Sequence, residues 1–124
     1  MFKEQELTGK ILKCAYNVHS TLGPGLLERV YEECLFYEMI ESNLLVTRQE
    51  EMPIEYKGIE IEAGYRIDLL VENKIIIELK AVAELQPIHT AQLFTYLKLS
   101  GCKIGYLINF NVKSLRDGIK RYSI

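Results

Sequence analysis

The sequence predicts an α/β protein in which a mixed central β-sheet is flanked by helices. Two observations carry that reading. The elements run in the order helix, helix, strands, helix, strand, and the central strands IDLLV and IIIEL are apolar on both faces, as strands covered by helices on both sides of a sheet must be.

Each element has a local cause. Leu7, Ile11, Ala15 and Val18 recur at helical spacing and predict a first helix over 7–20, ended by the turn signal Gly23-Pro24-Gly25. A second helix is expected from about Leu26 to Glu41, burying Leu27, Val30, Tyr31, Cys34 and Leu35 along one stripe. Extended segments follow in LLVTRQ, MPIEYK and IEIEAGY, with a turn at Lys57-Gly58, and their alternation predicts a sheet with one exposed face. GYRIDLLV and KIIIELKA, joined by the polar Glu72-Asn73-Lys74, read as a β-hairpin. Pro87 opens a third helix over about Ile88 to Ser100, closed by Gly101. KIGYLINF is a short apolar strand, Asn109-Phe110-Asn111 a turn, and VKSLRDGIKRY a short helix or turn with a terminal strand.

At 124 residues, 48% of them hydrophobic and 26% charged, the chain is expected to form one domain over 1–124. MFKEQELTGKILKCAYNV has neither a signal-peptide core nor an apolar stretch near twenty residues, so the expectation is a cytoplasmic protein with no membrane partner. Cys14, Cys34 and Cys102 are odd in number and set among apolar residues, which fits reduced core thiols. The net charge of −2 gives no global argument for a polyanion partner. It is nevertheless polarised: residues 28–62 carry ten Glu against Arg29, Arg48 and Lys57, a balance of −7, whereas residues 95–124 carry six Lys or Arg against Asp117, a balance of +5. The basic end suits phosphates or is simply a solvated face.

The hairpin carries the chemistry. If it is symmetric about Asn73, Val71 faces Ile75, Leu69 faces Ile77, and Asp68 lies across from Glu78. Two carboxylates so placed are destabilising unless something positive lies between them, and a divalent cation is the obvious candidate. Alternation along the strand puts Glu78 and Lys80 on one face and Leu79 on the other. A two-residue turn would instead oppose Asp68 to Ile77 on the wrong face, and an ordinary surface ion pair is the plain alternative.

Two further groups are open on spacing alone. Glu28 suits the positive first turn of the second helix, and Tyr31 falls on its apolar stripe, so both have structural explanations. If that helix crosses the hairpin, Glu28 becomes a third carboxylate. His89, Gln92 and Tyr96 form a polar stripe on the third helix opposite Leu93, Phe94 and Leu97, facing either solvent or a substrate phosphate. His89 and His19 are weak candidates for metal ligands.

Asp68, Glu78-Leu79-Lys80, the helical Glu28 and Gln92-x-x-x-Tyr96 together resemble the PD-(D/E)XK nuclease superfamily, in its branch similar to RecB-type and lambda-exonuclease-type enzymes. More narrowly, GLLERVY, Arg48-Gln49, YRIDLLVENKIIIELKA, AQLFTYLK and LINFN resemble the small bacterial GxxExxY family, assigned to that superfamily, over about Leu7 to Arg121. The first acidic motif reads Ile67-Asp68 rather than Pro-Asp, a proline often absent in the superfamily. The resemblance implies a restriction-endonuclease-like core, with Mg²⁺ or Mn²⁺ held by Asp68, Glu78 and the Leu79 carbonyl, oxygen ligands suited to hard cations. It implies that Lys80 orients or helps deprotonate the attacking water, that Glu28 binds metal or water, and that Gln92 and Tyr96, with His89 beside them, position the substrate. The expected function is metal-dependent hydrolysis of phosphodiester bonds in DNA, with RNA the second choice. The alternative is a non-catalytic nucleic-acid-binding or assembly module that keeps the nuclease fold. Without a large basic patch, a homodimer or a partner protein is expected to supply the remaining binding surface.

Overall fold

In a computed structural model, which describes residues 3–124, the chain forms a five-stranded mixed sheet flanked by helices. Helices α1 (Glu4–Leu22) and α2 (Glu28–Glu41) precede strand β1 (Val46–Glu51). A separate two-stranded hairpin, β2 (Ile54–Tyr56) and β3 (Ile59–Ile61), is followed by β4 (Arg66–Val71), β5 (Ile75–Lys80) and helix α3 (Pro87–Ser100). The chain ends with β6 (Ile104–Asn109), a 3₁₀ turn over Leu115–Gly118 and β7 (Ile119–Ser123). The sheet order is β1-β4-β5-β6-β7, and only β5 and β6 are parallel, joined across the sheet by α3.

Both faces of the sheet are covered, as the doubly apolar strands require. Leu7, Ile11, Tyr31 and Leu35 of α1 and α2 pack on Leu69, Val71, Ile75, Ile77 and Leu79. On the other face Leu93, Tyr96 and Leu97 of α3 meet Ile67, Ile76 and Leu107. Helix α3 lies so close that a Cβ on Gly105 would come within 2.8 Å of the Leu93 side chain, which explains a glycine inside β6.

Three details differ from the sequence reading. Helix α2 starts at Glu28, not Leu26, because Leu27 is its extended N-cap and is 75% exposed. The cause is Tyr31, whose buried hydroxyl donates to the Gly23 carbonyl (2.6 Å) and accepts from the Leu26 N–H (3.1 Å), holding the Gly-Pro-Gly turn out of helical register. Val30 and Cys34 are only partly buried, and Glu32 takes a buried place that the apolar stripe did not include. Second, the IEY and IEI segments pair only with each other, Ile54 with Ile61 and Tyr56 with Ile59, and stay out of the main sheet. Third, Tyr96 is 2% exposed and shares the buried face of α3 with Leu93 and Leu97, so it does not belong to a polar stripe opposite them. An aromatic body with one hydroxyl packs as an apolar residue when only its tip needs a partner. The three cysteines are free, and no helix among the described residues is long and apolar enough to cross a membrane.

Candidate active site

The β4–β5 hairpin has the symmetric register: Val71 opposes Ile75, Leu70 opposes Ile76 and Leu69 opposes Ile77. Glu72 and Asn73 both adopt positive φ, 53° and 54°, and the Lys74 N–H donates to the Val71 carbonyl at 2.9 Å, which closes a three-residue loop between Val71 and Ile75. Beyond Leu69 the ladder stops. β4 continues along β1 while β5 continues along β6, so the two strands part at Asp68 and Glu78. Side chains take over the lost backbone bonds: the Leu79 N–H donates to Asp68 Oδ2 at 2.8 Å, and the Asp68 N–H donates to Glu78 Oε1 at 3.1 Å. The reciprocal pair locks both carboxylates into the fork.

Strand β4 rolls at the same point. Ile67 packs on the α3 side and Leu69 on the α1–α2 side, although two residues apart on a regular strand would share a face. Across the ladder, Gln49 has φ of 53°, a left-handed conformation costly for a residue with a Cβ. Its side chain then donates to Glu32 Oε1 at 2.7 Å and reaches Asp68 Oδ1 at 3.4 Å. Glu32 is anchored in turn by Arg48 at 3.2 Å. A chain of contacts, Arg48 to Glu32 to Gln49 to Asp68, therefore runs from α2 through β1 into the fork. The sequence reading gave no role to Gln49 or Glu32. The Arg48-Gln49 pair marks the place in the sequence as a motif, and Glu32 lies off the predicted apolar stripe.

A second clamp holds the far side. Asn109 accepts the Val82 N–H (3.1 Å) and donates to the Val82 carbonyl (2.9 Å), fixing the chain just after Lys80. Asn111 donates to the same carbonyl (3.3 Å) and accepts the Gly25 N–H (3.1 Å), which ties the entrance of α2 to the end of β5. Phe110 between them stacks on Tyr31, with ring centroids 4.7 Å apart. Gly118 must be glycine because a Cβ there would lie 2.1 Å from the Asn109 carbonyl oxygen. Asn109 and Asn111, expected as turn residues, are the side-chain supports of the site.

The electrostatics show which groups gather. Burial, followed by the Asp68 charge, pushes the Glu78 carboxyl up to about 9, and Glu78 is only 4% exposed. Asp68 is also raised by burial, against the Leu79 N–H, the Lys80 charge and the Gln49 amide. Glu28 is raised by burial and then by Asp68, with Lys80 opposing. Glu32 is raised in the same way by burial and Asp68, opposed by Arg48 and Gln49. The Tyr96 phenol is pushed up by burial and by Glu78. His89 is lowered by its partial burial and then by Lys80, while its Nδ1 accepts the Gln86 N–H at 3.0 Å and caps α3. His19 hydrogen-bonds the Val112 carbonyl at 2.7 Å, a structural role. The structure thus brings Glu28, Asp68, Glu78, Lys80 and Tyr96 into one electrostatic neighbourhood, with Gln92 bonded to the Tyr96 hydroxyl at 3.0 Å.

Among the described residues no group of three or more His, Cys, Asp or Glu side chains is disposed to enclose a metal ion by itself. The fork still suits a hard divalent cation. Two adjacent carboxylates, one so desolvated and so close to the other's charge that it retains a proton to about 9, are the donors a magnesium-like ion uses when it keeps several waters and meets its substrate's oxygens.

A family model described as PD-(D/E)XK nuclease superfamily matches residues 5–122. Comparison with curated proteins and with solved structures gives no match.

Proposed function

The chain belongs to the PD-(D/E)XK nuclease superfamily, and from that premise we propose that it is a metal-dependent nuclease hydrolysing DNA, with RNA the second choice, at the β4–β5 fork. The observation that carries the proposal is the Asp68–Glu78 pair, Glu78 buried and Asp68 half-buried, held by reciprocal backbone bonds where the strands part, with Lys80 beside it. Asp68 and Glu78, with the Leu79 carbonyl, would hold Mg²⁺ or Mn²⁺. Such an ion supplies Lewis acidity at the phosphate and favours deprotonation of water near neutral pH.

The remaining chemistry belongs to the chain. Lys80 orients the attacking water and offsets the charge that develops on the phosphoryl oxygens. Glu28, in the same charge field as Asp68 and Lys80, would bind the ion directly or through water. The Gln92 amide donates to the Tyr96 oxygen, which leaves the phenolic hydrogen for a phosphate oxygen. His89, its Nδ1 committed to the cap, can reach substrate only through Nε2. The whole of 1–124 serves as one nuclease unit, and a homodimer or a partner protein extends its contact with the strand. The motif set GLLERVY, Arg48-Gln49 and LINFN supports the narrower GxxExxY assignment.

Incubation with single-stranded, duplex and branched DNA and with RNA, under Mg²⁺, Mn²⁺ and EDTA, tests the reading. Cleavage that EDTA abolishes is expected. Salt-sensitive binding that a chelator leaves unchanged, with every substrate intact, would favour the non-catalytic module.

Gln49 acts as a positioning residue for Asp68. Gln49→Leu is expected to weaken Mn²⁺ affinity or kcat/KM by about 10-fold or more, the usual effect of removing a support behind a ligand. Gln49→Glu should not restore it, because a carboxylate cannot donate to Glu32 and Asp68. Unchanged Mn²⁺ titrations and kinetics in Gln49→Leu would refute this role.

A further inference from the structure

Between the β2–β3 hairpin and α3 lies an open cleft of about 530 Å³ whose other walls have no part in the chemistry described above. Ile54 and Tyr65 form one wall, and Ile88, Ala91 and Thr95 of α3 form the other. Gln92 and Tyr96 line it too, so the cleft is continuous with the candidate active site. Its apolar surface is exposed without a covering element: Ile88 is 70% and Tyr65 46% accessible. The backbone beneath Tyr65 is fixed, since its carbonyl accepts the Met52 N–H at 2.9 Å.

Resting on the nuclease reading, we infer that this cleft receives one unstacked nucleobase beside the scissile phosphate, which makes a single strand or a frayed end the substrate. The lining selects that occupant. It carries no formal charge, offers a half-exposed phenol for stacking, and supplies two acceptors for a base edge, the Gln92 carbonyl oxygen and the Thr95 Oγ1, whose hydrogen goes to the Ala91 carbonyl at 3.1 Å. A sugar-phosphate chain would fare badly next door, where Tyr65 also borders a hollow lined by Glu51, Glu60 and Glu62 against Arg66 alone. Those carboxylates repel the second backbone of a duplex while leaving a neutral, flat base free to enter.

The test uses chains carrying Lys80→Ala, so that strands stay intact, with Tyr65 kept, changed to Phe, or changed to Ala. Binding of a short oligothymidylate, and of the same strand with abasic residues, is read by fluorescence anisotropy in Mg²⁺. Tyr65→Ala is expected to weaken oligothymidylate binding by about 10-fold, the scale of one lost stacking contact, with Tyr65→Phe close to the parent. The abasic strand should bind weakly and equally to all three. Equal loss on both strands, no loss on either, or no binding of either strand by the parent would overturn the base site. Binding is separable from cleavage. Tyr65- and base-dependent binding in a chain that, with Lys80 restored, cuts nothing upholds the base site and sinks the nuclease reading; cleavage with no Tyr65 effect does the reverse.

Discussion

Glu78→Gln is expected to stabilise the metal-free protein at neutral and alkaline pH while abolishing its response to Mn²⁺. In the folded chain the Glu78 carboxyl, desolvated and beside Asp68, titrates at about 9, against an ordinary value of 4.5. Between those two values the unfolded chain has released the proton and the folded chain still holds it. Stability from this group is therefore full below about pH 4.5 and falls as pH rises toward about 9, by about 1.4 kcal/mol per pH unit at most. Glutamine keeps the oxygen that accepts the Asp68 N–H and can turn its amide hydrogens toward the Asp68 carboxylate, without any charge to desolvate. Near pH 8 the variant should gain on the order of a few kcal/mol over wild type, several degrees in Tm, and near pH 4.5 almost nothing. Mn²⁺ should raise the Tm of wild type at pH 8 and leave the variant unmoved. Thermal melts across that range, with and without Mn²⁺, check all of this. A variant equally destabilised at both pH values would show that Glu78 holds the fold rather than a charge-deficient cation site.

Lys80→Ala should do the opposite: metal binding is kept and turnover lost. Lys80 is a cation among three carboxylates, so its removal cannot weaken their attraction for Mn²⁺ and should if anything tighten it. Loss of the group that orients water and offsets phosphoryl charge is expected to cost about 10²–10⁴-fold in kcat. Lys80→Arg is a poor rescue, since a planar guanidinium with a very high pKa neither shares a proton nor fits the ammonium's place. Isothermal titration with Mn²⁺ beside single-turnover kinetics separates the two effects.

How much of this the sequence discloses depends on the range of the forces involved. The hairpin register was legible because strand alternation and a polar turn constrain it together, and with it the juxtaposition of Asp68 and Glu78. The parting of the strands was not, because it depends on which neighbour each strand keeps, β1 for β4 and β6 for β5. Leu26 and Leu27 read as helix because nothing local shows that the Tyr31 hydroxyl holds the preceding turn. Gln49 has no intrinsic preference for a left-handed backbone; its conformation follows from the partners that its side chain finds in Glu32 and Asp68. Asn109 and Asn111 have turn-forming side chains, and the structure spends those same amides on Val82 and Gly25. Local chemistry was readable, and long-range partners were not.

The central claim, that the fork is a hydrolytic centre and not only a structural one, is tested most directly by cleavage assays of wild type and Lys80→Ala side by side, in Mn²⁺ and in EDTA, with Mn²⁺ binding measured on both. The expected result is cleavage by wild type in Mn²⁺ alone, and none by a Lys80→Ala protein that still binds Mn²⁺. Equal cleavage by the two proteins, or none by a wild type shown to bind Mn²⁺ and nucleic acid, would contradict it.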